Sequence, residues 1–219
     1  MASPVTPEPK FFLVDRLYEK GLAYYANQWF ADAGKARRAG EKSTDYLESA
    51  PAAERIARDL PDVKLVFILR EPVDRAYSNY LWTRMNGPET EDFPTALRLE
   101  DQRERELPEP LKFARPFSYF SRGLYADLLT PYVERFPRDQ ILILRFEDIL
   151  AKPIALAERL QRFLGVSVRP NDAHDLGVIN PSEKDTTGLA VEIRTELHEL
   201  YAEPNRRLAE MLPDFEMWA

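Results

Sequence analysis

An arginine and a serine stand where parallel sheets commonly bind anions. Arg70 directly follows the apolar run at residues 64–69, and Ser78 lies eight residues later, about two turns into a segment with helical periodicity. A guanidinium offers two parallel donors to the oxygens of a phosphate, and a serine hydroxyl adds another hydrogen bond. The spacing therefore predicts a phosphate site formed without a glycine-rich loop. The residues alone leave a second interpretation equally open, in which Arg70 pairs with Glu71 or Asp74 and Ser78 is a small packing residue.

Two buried strands and several amphipathic helices must position these side chains. Strands are predicted at residues 64–69 and 140–146, because the apolar runs 65–69 and 141–144 are typical of strands covered on both faces in a parallel sheet. Helical periodicity covers residues 18–30, 92–106, 118–136 and 189–212, and the last of these is expected to be interrupted at Pro204. Three further helices are expected to begin at Pro51, Pro72 and Pro153, since proline is favoured in the first turn of a helix. This alternation predicts an α/β fold, a parallel sheet flanked by helices, with ligands beyond the carboxyl ends of the strands.

Composition excludes several classes of site. The 219 residues include 30 basic and 37 acidic side chains, a net charge of −7, which argues against bulk electrostatic binding of nucleic acid or an anionic membrane. There is no cysteine, and the two histidines, His174 and His198, lack metal-ligand spacing. No apolar run approaches the ~20 residues of a membrane span, and no signal peptide is evident. The expected location is the cytoplasm.

Residues 64–80 resemble the 3′-phosphate-binding segment of PAPS-dependent sulfotransferases, where PAPS is 3′-phosphoadenosine 5′-phosphosulfate. In that family the strand-end arginine and the helix serine hold the 3′-phosphate, so the resemblance assigns Arg70 and Ser78 to PAPS binding. It also implies a three-layer fold like that of the P-loop sulfotransferases. Lys184 is also predicted to bind PAPS, because a C-terminal loop closes over the nucleotide in similar enzymes. The alternative is that Lys184 lies in an ordinary surface loop.

Residues 41–47 resemble the Glu-Lys-(Ser/Thr)-Pro-x-Tyr segment of the heparan-sulfate members. The lysine of that segment lies near the transferring sulfuryl group, which implies this role for Lys42. Thr44 and Asp45 stand where the family usually has proline and a variable residue. Without the resemblance, Lys42 is an ordinary surface lysine.

Residues 7–12 resemble the Glu-x-His-Phe-Phe segment, whose glutamate is the general base in heparan 3-O-sulfation. The resemblance therefore implies that Glu8 is the base, with Lys10 in place of the common histidine. Residue chemistry alone favours a solvent-exposed carboxylate for Glu8. The pair Glu8 and Lys42 is the predicted catalytic set.

One family element has no counterpart. The family normally begins with a strand and a Gly-x-x-Lys-x-Gly-Thr-Thr-like loop whose amides bind the 5′-phosphosulfate. Six residues before Pro7 are too few for it, and residues 34–43 have the wrong spacing, with no strand leading into them. We therefore expect a single sulfotransferase-like domain, residues 1–219, incomplete at its N-terminus. A fragmentary sequence, a loop supplied by a partner, or loss of activity would each explain this.

The expected function is transfer of a sulfuryl group from PAPS to a hydroxyl acceptor, a carbohydrate or a small metabolite, without a metal. Catalysis depends on a source for the missing loop. The alternative is a non-catalytic or truncated module that binds 3′-phosphoadenosine nucleotides or sulfated ligands without turnover. A phosphotransferase is disfavoured because ATP lacks a 3′-phosphate. The sequence leaves the acceptor, its regiochemistry and the oligomeric state open.

Overall fold

The computed structural model describes residues 8–87, 89–109, 112–169 and 188–218. Its helices are α1 (Asp15–Tyr18), α2 (Gly21–Phe30), α3 (Ala50–Asp59), α4 (Pro72–Asn86), α5 (Phe93–Glu106), α6 (Tyr125–Val133), α7 (Asp148–Ala151), α8 (Pro153–Leu164) and α9 (Val191–Met211), and its strands are β1 (Leu65–Leu69) and β2 (Ile141–Arg145). Short 3₁₀ helices cover Ala31–Ala33, Thr44–Glu48, Ser121–Gly123 and Arg138–Gln140.

The two strands are parallel neighbours. Leu65 lies opposite Ile141, and Leu69 lies opposite Arg145. A parallel pair needs a long crossover, which α4, α5 and α6 supply between the strands. The predicted α/β class and both predicted strands are confirmed.

Two apolar clusters form the core. The first packs the N-terminal segment, α3 and α6 against the sheet, and it includes Phe11, Phe12, Leu69 and Ile143. The second packs α4 and α5 against α9 around Tyr80, Phe93, Tyr119 and Tyr201. The connection from β1 to α4 joins the two clusters, because Leu69 of β1 belongs to the first and Val73 of α4 belongs to the second.

The sequence wrongly predicted that both strands are covered on both faces. Residues 141–144 of β2 are buried, whereas Ile68 of β1 is 49% exposed. The apolar stripe of α8 covers the sheet only partly, since no residue of α8 is fully buried. An apolar run shows that a strand would be stabilised by burial, but the elements that pack against the strand determine how much of it is buried.

The predicted helix at 118–136 is much shorter in the structure, where α6 spans Tyr125–Val133. The backbone amides of Tyr119, Phe120 and Ser121 donate to the buried carboxylate of Glu100 at 2.6–2.9 Å. Three amides directed at one acceptor hold this stretch in a turn. The helix therefore begins only after that turn.

The predicted interruption at Pro204 is also wrong, because α9 runs unbroken for 21 residues. A proline inside a helix costs about 3 kcal/mol. Tyr201 and Leu208 flank Pro204, and both are fully buried. Packing on both sides of the proline thus holds the helix together.

None of the described helices combines the length and the apolar composition that a bilayer-spanning segment requires.

Candidate active site

Arg70 and Ser78 occupy the positions that the sequence predicted for them. Arg70 directly follows β1 at the carboxyl end of the strand, and Ser78 lies in the second turn of α4. Proline at the first position of α4 and the side chain of Glu71 start this helix, since Glu71 accepts from the amides of Val73 and Asp74 at 3.1 and 2.7 Å. The local sequence therefore fixes where α4 begins relative to Arg70.

The guanidinium of Arg70 contacts an aromatic ring and no carboxylate among the described residues. It lies over the ring of Phe146, 5.2 Å from the ring centroid, within the range of a cation–π interaction. Glu71 caps α4, and Asp74 lies 2.9 Å from Arg194. The two acids that the alternative interpretation assigned to Arg70 thus have other partners.

Partly buried hydrogen bonds hold the backbone beside Arg70. The hydroxyl of Tyr125 donates to the carbonyl oxygen of Arg70 at 2.8 Å, and the amide of Glu71 donates to the Glu147 carboxylate at 2.9 Å. Trp218 donates to the second oxygen of Glu147 at 3.0 Å. Tyr125 and Glu147 therefore hold the backbone of the turn between β1 and α4 through these hydrogen bonds.

Glu8 and Lys42 come together in the structure. Lys42 Nζ lies 2.9 Å from Glu8 Oε1. Thr44 adds two donors to the same carboxylate, its hydroxyl at 2.7 Å and its amide at 3.1 Å, across 36 residues of chain. The side chain of Lys42 is 80% exposed, so it is free to turn toward a ligand while Thr44 keeps hold of Glu8.

The anchor of Glu8 is the pair of phenylalanines that follows it. Phe11 and Phe12 are 1% and 2% exposed, and their rings pack edge to face in the first apolar cluster. Burying two phenylalanine side chains contributes roughly 1.5–3 kcal/mol each. The apolar core thereby holds the polar segment that precedes these rings.

The two carboxylates near Lys42 differ in pKa. Burial raises the pKa of Glu8, but the hydrogen bonds from Thr44 and Lys42 outweigh it and hold the pKa below its ordinary value. Burial raises the pKa of Glu41, and the nearby charge of Glu8 raises it further against the hydrogen bonds from Ser43 and Tyr25. The site therefore keeps Glu8 ionised beside a more readily protonated neighbour.

Sequence reasoning missed several contacts of this site. Thr44 was noted only as a departure from the family pattern, although it supplies two of the donors to Glu8. Sequence reasoning also assigned Phe146 no contact with Arg70. Arg75, which was assigned no role in the site, is half-buried and donates to the carbonyl oxygen of Tyr119.

Three other predictions stand as follows. Lys184 lies outside the described residues. Residues 34–40 are exposed, and the next described element is the short 3₁₀ helix Thr44–Glu48, so this stretch lacks the helix start of a phosphate-binding loop. The described residues contain no group of three metal-ligating side chains, and the expectation that no metal is needed stays a prediction.

The chain is similar in sequence to known sulfotransferases. A family model described as a sulfotransferase domain matches residues 53–181. Mouse heparan sulfate glucosamine 3-O-sulfotransferase 3B1 is 33% identical over 178 residues, which cover 78% of this chain and 41% of that enzyme. The bifunctional heparan sulfate N-deacetylase/N-sulfotransferase 1 of Xenopus tropicalis is 33% identical over 131 residues, 58% of this chain and 14% of that enzyme.

A solved structure shows the same fold. The sulfotransferase from Alicyclobacillus acidocaldarius superposes with a TM-score of 0.73 at 27% identity, covering 97% of this chain and 85% of that one. The chain spans about two fifths of the length of the 3-O-sulfotransferases it matches. Because the family model covers more than half of the chain, the chain belongs to the sulfotransferase domain family.

Proposed function

We propose that this chain transfers a sulfuryl group from PAPS to a hydroxyl on a carbohydrate. The observation that carries the proposal is the contact between Glu8 and Lys42, a carboxylate and an ammonium group that lie far apart in sequence and only 2.9 Å apart in the structure. Heparan sulfate is the substrate named for the relatives with 33% identity, and it supports a sugar acceptor over a small metabolite.

The residues at the carboxyl end of β1 fit the nucleotide part of the donor. A half-buried guanidinium that is paired with no carboxylate among the described residues suits a dianionic 3′-phosphate. The hydroxyl of Ser78 makes no hydrogen bond to another described residue, and it is available for the same phosphate. Arg70 and Ser78 would hold the donor, and Tyr125 and Glu147 keep the backbone of Arg70 in place.

Glu8 acts as the general base in this proposal. It accepts the proton of the acceptor hydroxyl, while PAPS supplies the sulfuryl group as the bond from sulfur to the 5′-phosphate oxygen breaks and the bond to the acceptor oxygen forms. Lys42 turns toward the sulfuryl oxygens and places its positive charge where negative charge develops. When Lys42 leaves the carboxylate, Glu8 loses one of the contacts that lower its pKa, so its basicity rises as the site is filled.

The test is incorporation of labelled sulfate from PAPS into heparan sulfate by the whole chain. We expect turnover by the wild type once a loop for the 5′-phosphosulfate is supplied, and its loss in Glu8→Gln, with binding of 3′-phosphoadenosine 5′-phosphate retained. Glu19→Gln, an exposed acid on the same N-terminal segment, is the matched control and keeps wild-type turnover. A fully active Glu8→Gln removes Glu8 from the mechanism. Nucleotide binding without turnover by the wild type would instead indicate a binding module.

A further inference from the structure

Lys10 adopts an unusual backbone conformation two residues after the proposed base. Its φ is +50°, in the left-handed region that residues other than glycine rarely occupy. Arg115 is the other non-glycine residue with positive φ in the described part of the chain. A conformation of this kind persists where the surrounding structure holds it, and it is common at functional sites.

Contacts from the facing segment, residues 41–46, hold Lys10. Lys10 Nζ donates to Asp45 Oδ2 at 2.6 Å, and the amide of Lys10 donates to Ser43 Oγ at 3.0 Å. The hydroxyl of Ser43 in turn donates to Glu41 at 3.0 Å. Asp45 is 9% exposed and also lies 3.7 Å from Arg122, so its carboxylate is a fixed partner for Lys10.

We propose that the Lys10–Asp45 ion pair is a positioning device, which locks the segments at 8–12 and 41–46 in the register that brings Glu8 to Lys42. The catalytic roles of Glu8 and Lys42 in this inference rest on the proposed function. Lys10 and Asp45 touch each other rather than the reacting atoms, so both are positioning residues.

The charge pattern explains why the pair sets a register. One segment carries a negative charge at residue 8 and a positive charge at residue 10, and the other carries a positive charge at 42 between negative charges at 41 and 45. In the observed alignment the two ion pairs between the segments join Glu8 to Lys42 at 2.9 Å and Lys10 to Asp45 at 2.6 Å. Sliding one segment so that Glu8 approaches Asp45 brings two like charges together, which is disfavoured. Sliding it the other way takes Lys10 from Asp45 toward Lys42 and Glu41, where the repulsion of Lys42 opposes the attraction of Glu41.

This pair belongs to the present chain and not to the pattern it resembles. Lys10 stands in place of the common histidine, and Asp45 occupies the variable position of the other segment. Two departures from the pattern thus meet as a short ion pair. The ion pair therefore depends on Lys10 and Asp45 together, and replacing either residue removes it.

The experiment compares Lys10→Met, Asp45→Asn and the double variant with wild type, using Lys35→Met, an exposed lysine, as the matched control. The first readout is amide hydrogen exchange of Thr44, whose N–H donates to Glu8 at 3.1 Å. We expect faster exchange at Thr44 in both single variants and wild-type exchange in Lys35→Met. Unchanged exchange at Thr44 in Lys10→Met and Asp45→Asn overturns the inference.

The second readout is turnover of PAPS with heparan sulfate. We expect kcat to fall on the order of a hundredfold in each single variant, as misplacement of a reacting group by about 1 Å does elsewhere. The Kd for 3′-phosphoadenosine 5′-phosphate stays at its wild-type value, and the double variant loses no more than either single variant. Lys10→Arg, which keeps the charge, restores most of the activity.

The outcomes separate this inference from the proposed function. If wild type shows no turnover, the proposed function fails. Amide exchange at Thr44 then still decides whether the Lys10–Asp45 ion pair holds the two segments in register. If wild type is active and Lys10→Met matches it in kcat, the positioning role is wrong. A loss of kcat that is matched by an equal loss of nucleotide affinity and a lower Tm also overturns it, because general destabilisation then explains the effect.

Discussion

Replacing Arg70 by alanine should weaken binding of 3′-phosphoadenosine 5′-phosphate far more than binding of adenosine 5′-phosphate, which lacks the 3′-phosphate. The guanidinium is half-buried and has no competing carboxylate among the described residues, so the variant loses a contact that the free protein does not replace. Losing one partner of a desolvated charge pair costs about 2–5 kcal/mol, and partial exposure places Arg70 in the lower part of that range. A loss of about 2–3 kcal/mol corresponds to a Kd higher by about 30- to 140-fold.

Isothermal titration calorimetry gives the Kd of each nucleotide for wild type and for Arg70→Ala. These four Kd values form a thermodynamic cycle that isolates the contribution of the 3′-phosphate. The difference between the two ligands removes any general change in the protein, since both share the adenosine and the 5′-phosphate. Arg98→Ala is the matched control, because Arg98 is an exposed arginine of α5 whose side chain donates to Thr95. Arg98→Ala should bind both nucleotides as wild type does.

Two results would refute the reasoning. Equal affinity of wild type and Arg70→Ala for 3′-phosphoadenosine 5′-phosphate would show that the guanidinium does not hold the 3′-phosphate. An equal loss for both nucleotides would show that Arg70 acts on the fold or on another part of the ligand. Either result would leave the proposed roles of Glu8 and Lys42 to be tested separately.

Further predictions concern the surroundings of the same groups. Thr44→Val removes the hydroxyl that donates to Glu8 at 2.7 Å and should raise the pKa of Glu8, so the acid limb of the kcat profile moves to higher pH, whereas Thr44→Ser keeps the wild-type profile. The pKa of Glu8 is lower in the folded than in the unfolded state, so the contact with Thr44 stabilises the folded state above the unfolded-state pKa and is lost as the pH falls through the folded-state pKa. An acid limb that does not move in Thr44→Val would contradict this prediction. Phe146→Ala removes the ring under Arg70 and should raise the Kd for 3′-phosphoadenosine 5′-phosphate by about two- to fivefold, with Phe146→Tyr close to wild type in the same titration. Equal binding by Phe146→Ala would mean that the ring does not orient the guanidinium.

The order of strands and helices was predictable because it depends on local patterns. Apolar runs gave both strands, and proline at the first helical position gave the starts of α4 and α8. The errors arose where a distant residue decides the local structure. Glu100 of α5 holds the turn before α6, and the cores around Tyr201 and Leu208 override Pro204.

The candidate site divides in the same way. Position alone placed Arg70 at the end of a strand and Ser78 two turns into the next helix, because both depend on one continuous segment. The contact between Glu8 and Lys42 crosses a long stretch of chain, and residue chemistry alone favoured an exposed surface for each. Only the resemblance of two separate segments to one family suggested that they act together.

The two halves of the site rest on different parts of the core, which has a consequence for how they respond to substitution. The segment of Glu8 is anchored by Phe11 and Phe12 in the first apolar cluster, whereas the helix of Ser78 is anchored by Val73 and Tyr80 in the second. Stabilities of contacts in separate clusters add nearly independently. We therefore expect substitutions in the first cluster to affect the proposed base, and substitutions in the second to affect the proposed contact of Ser78. Leu69 is the exception, because it belongs to the first cluster and leads directly into Arg70.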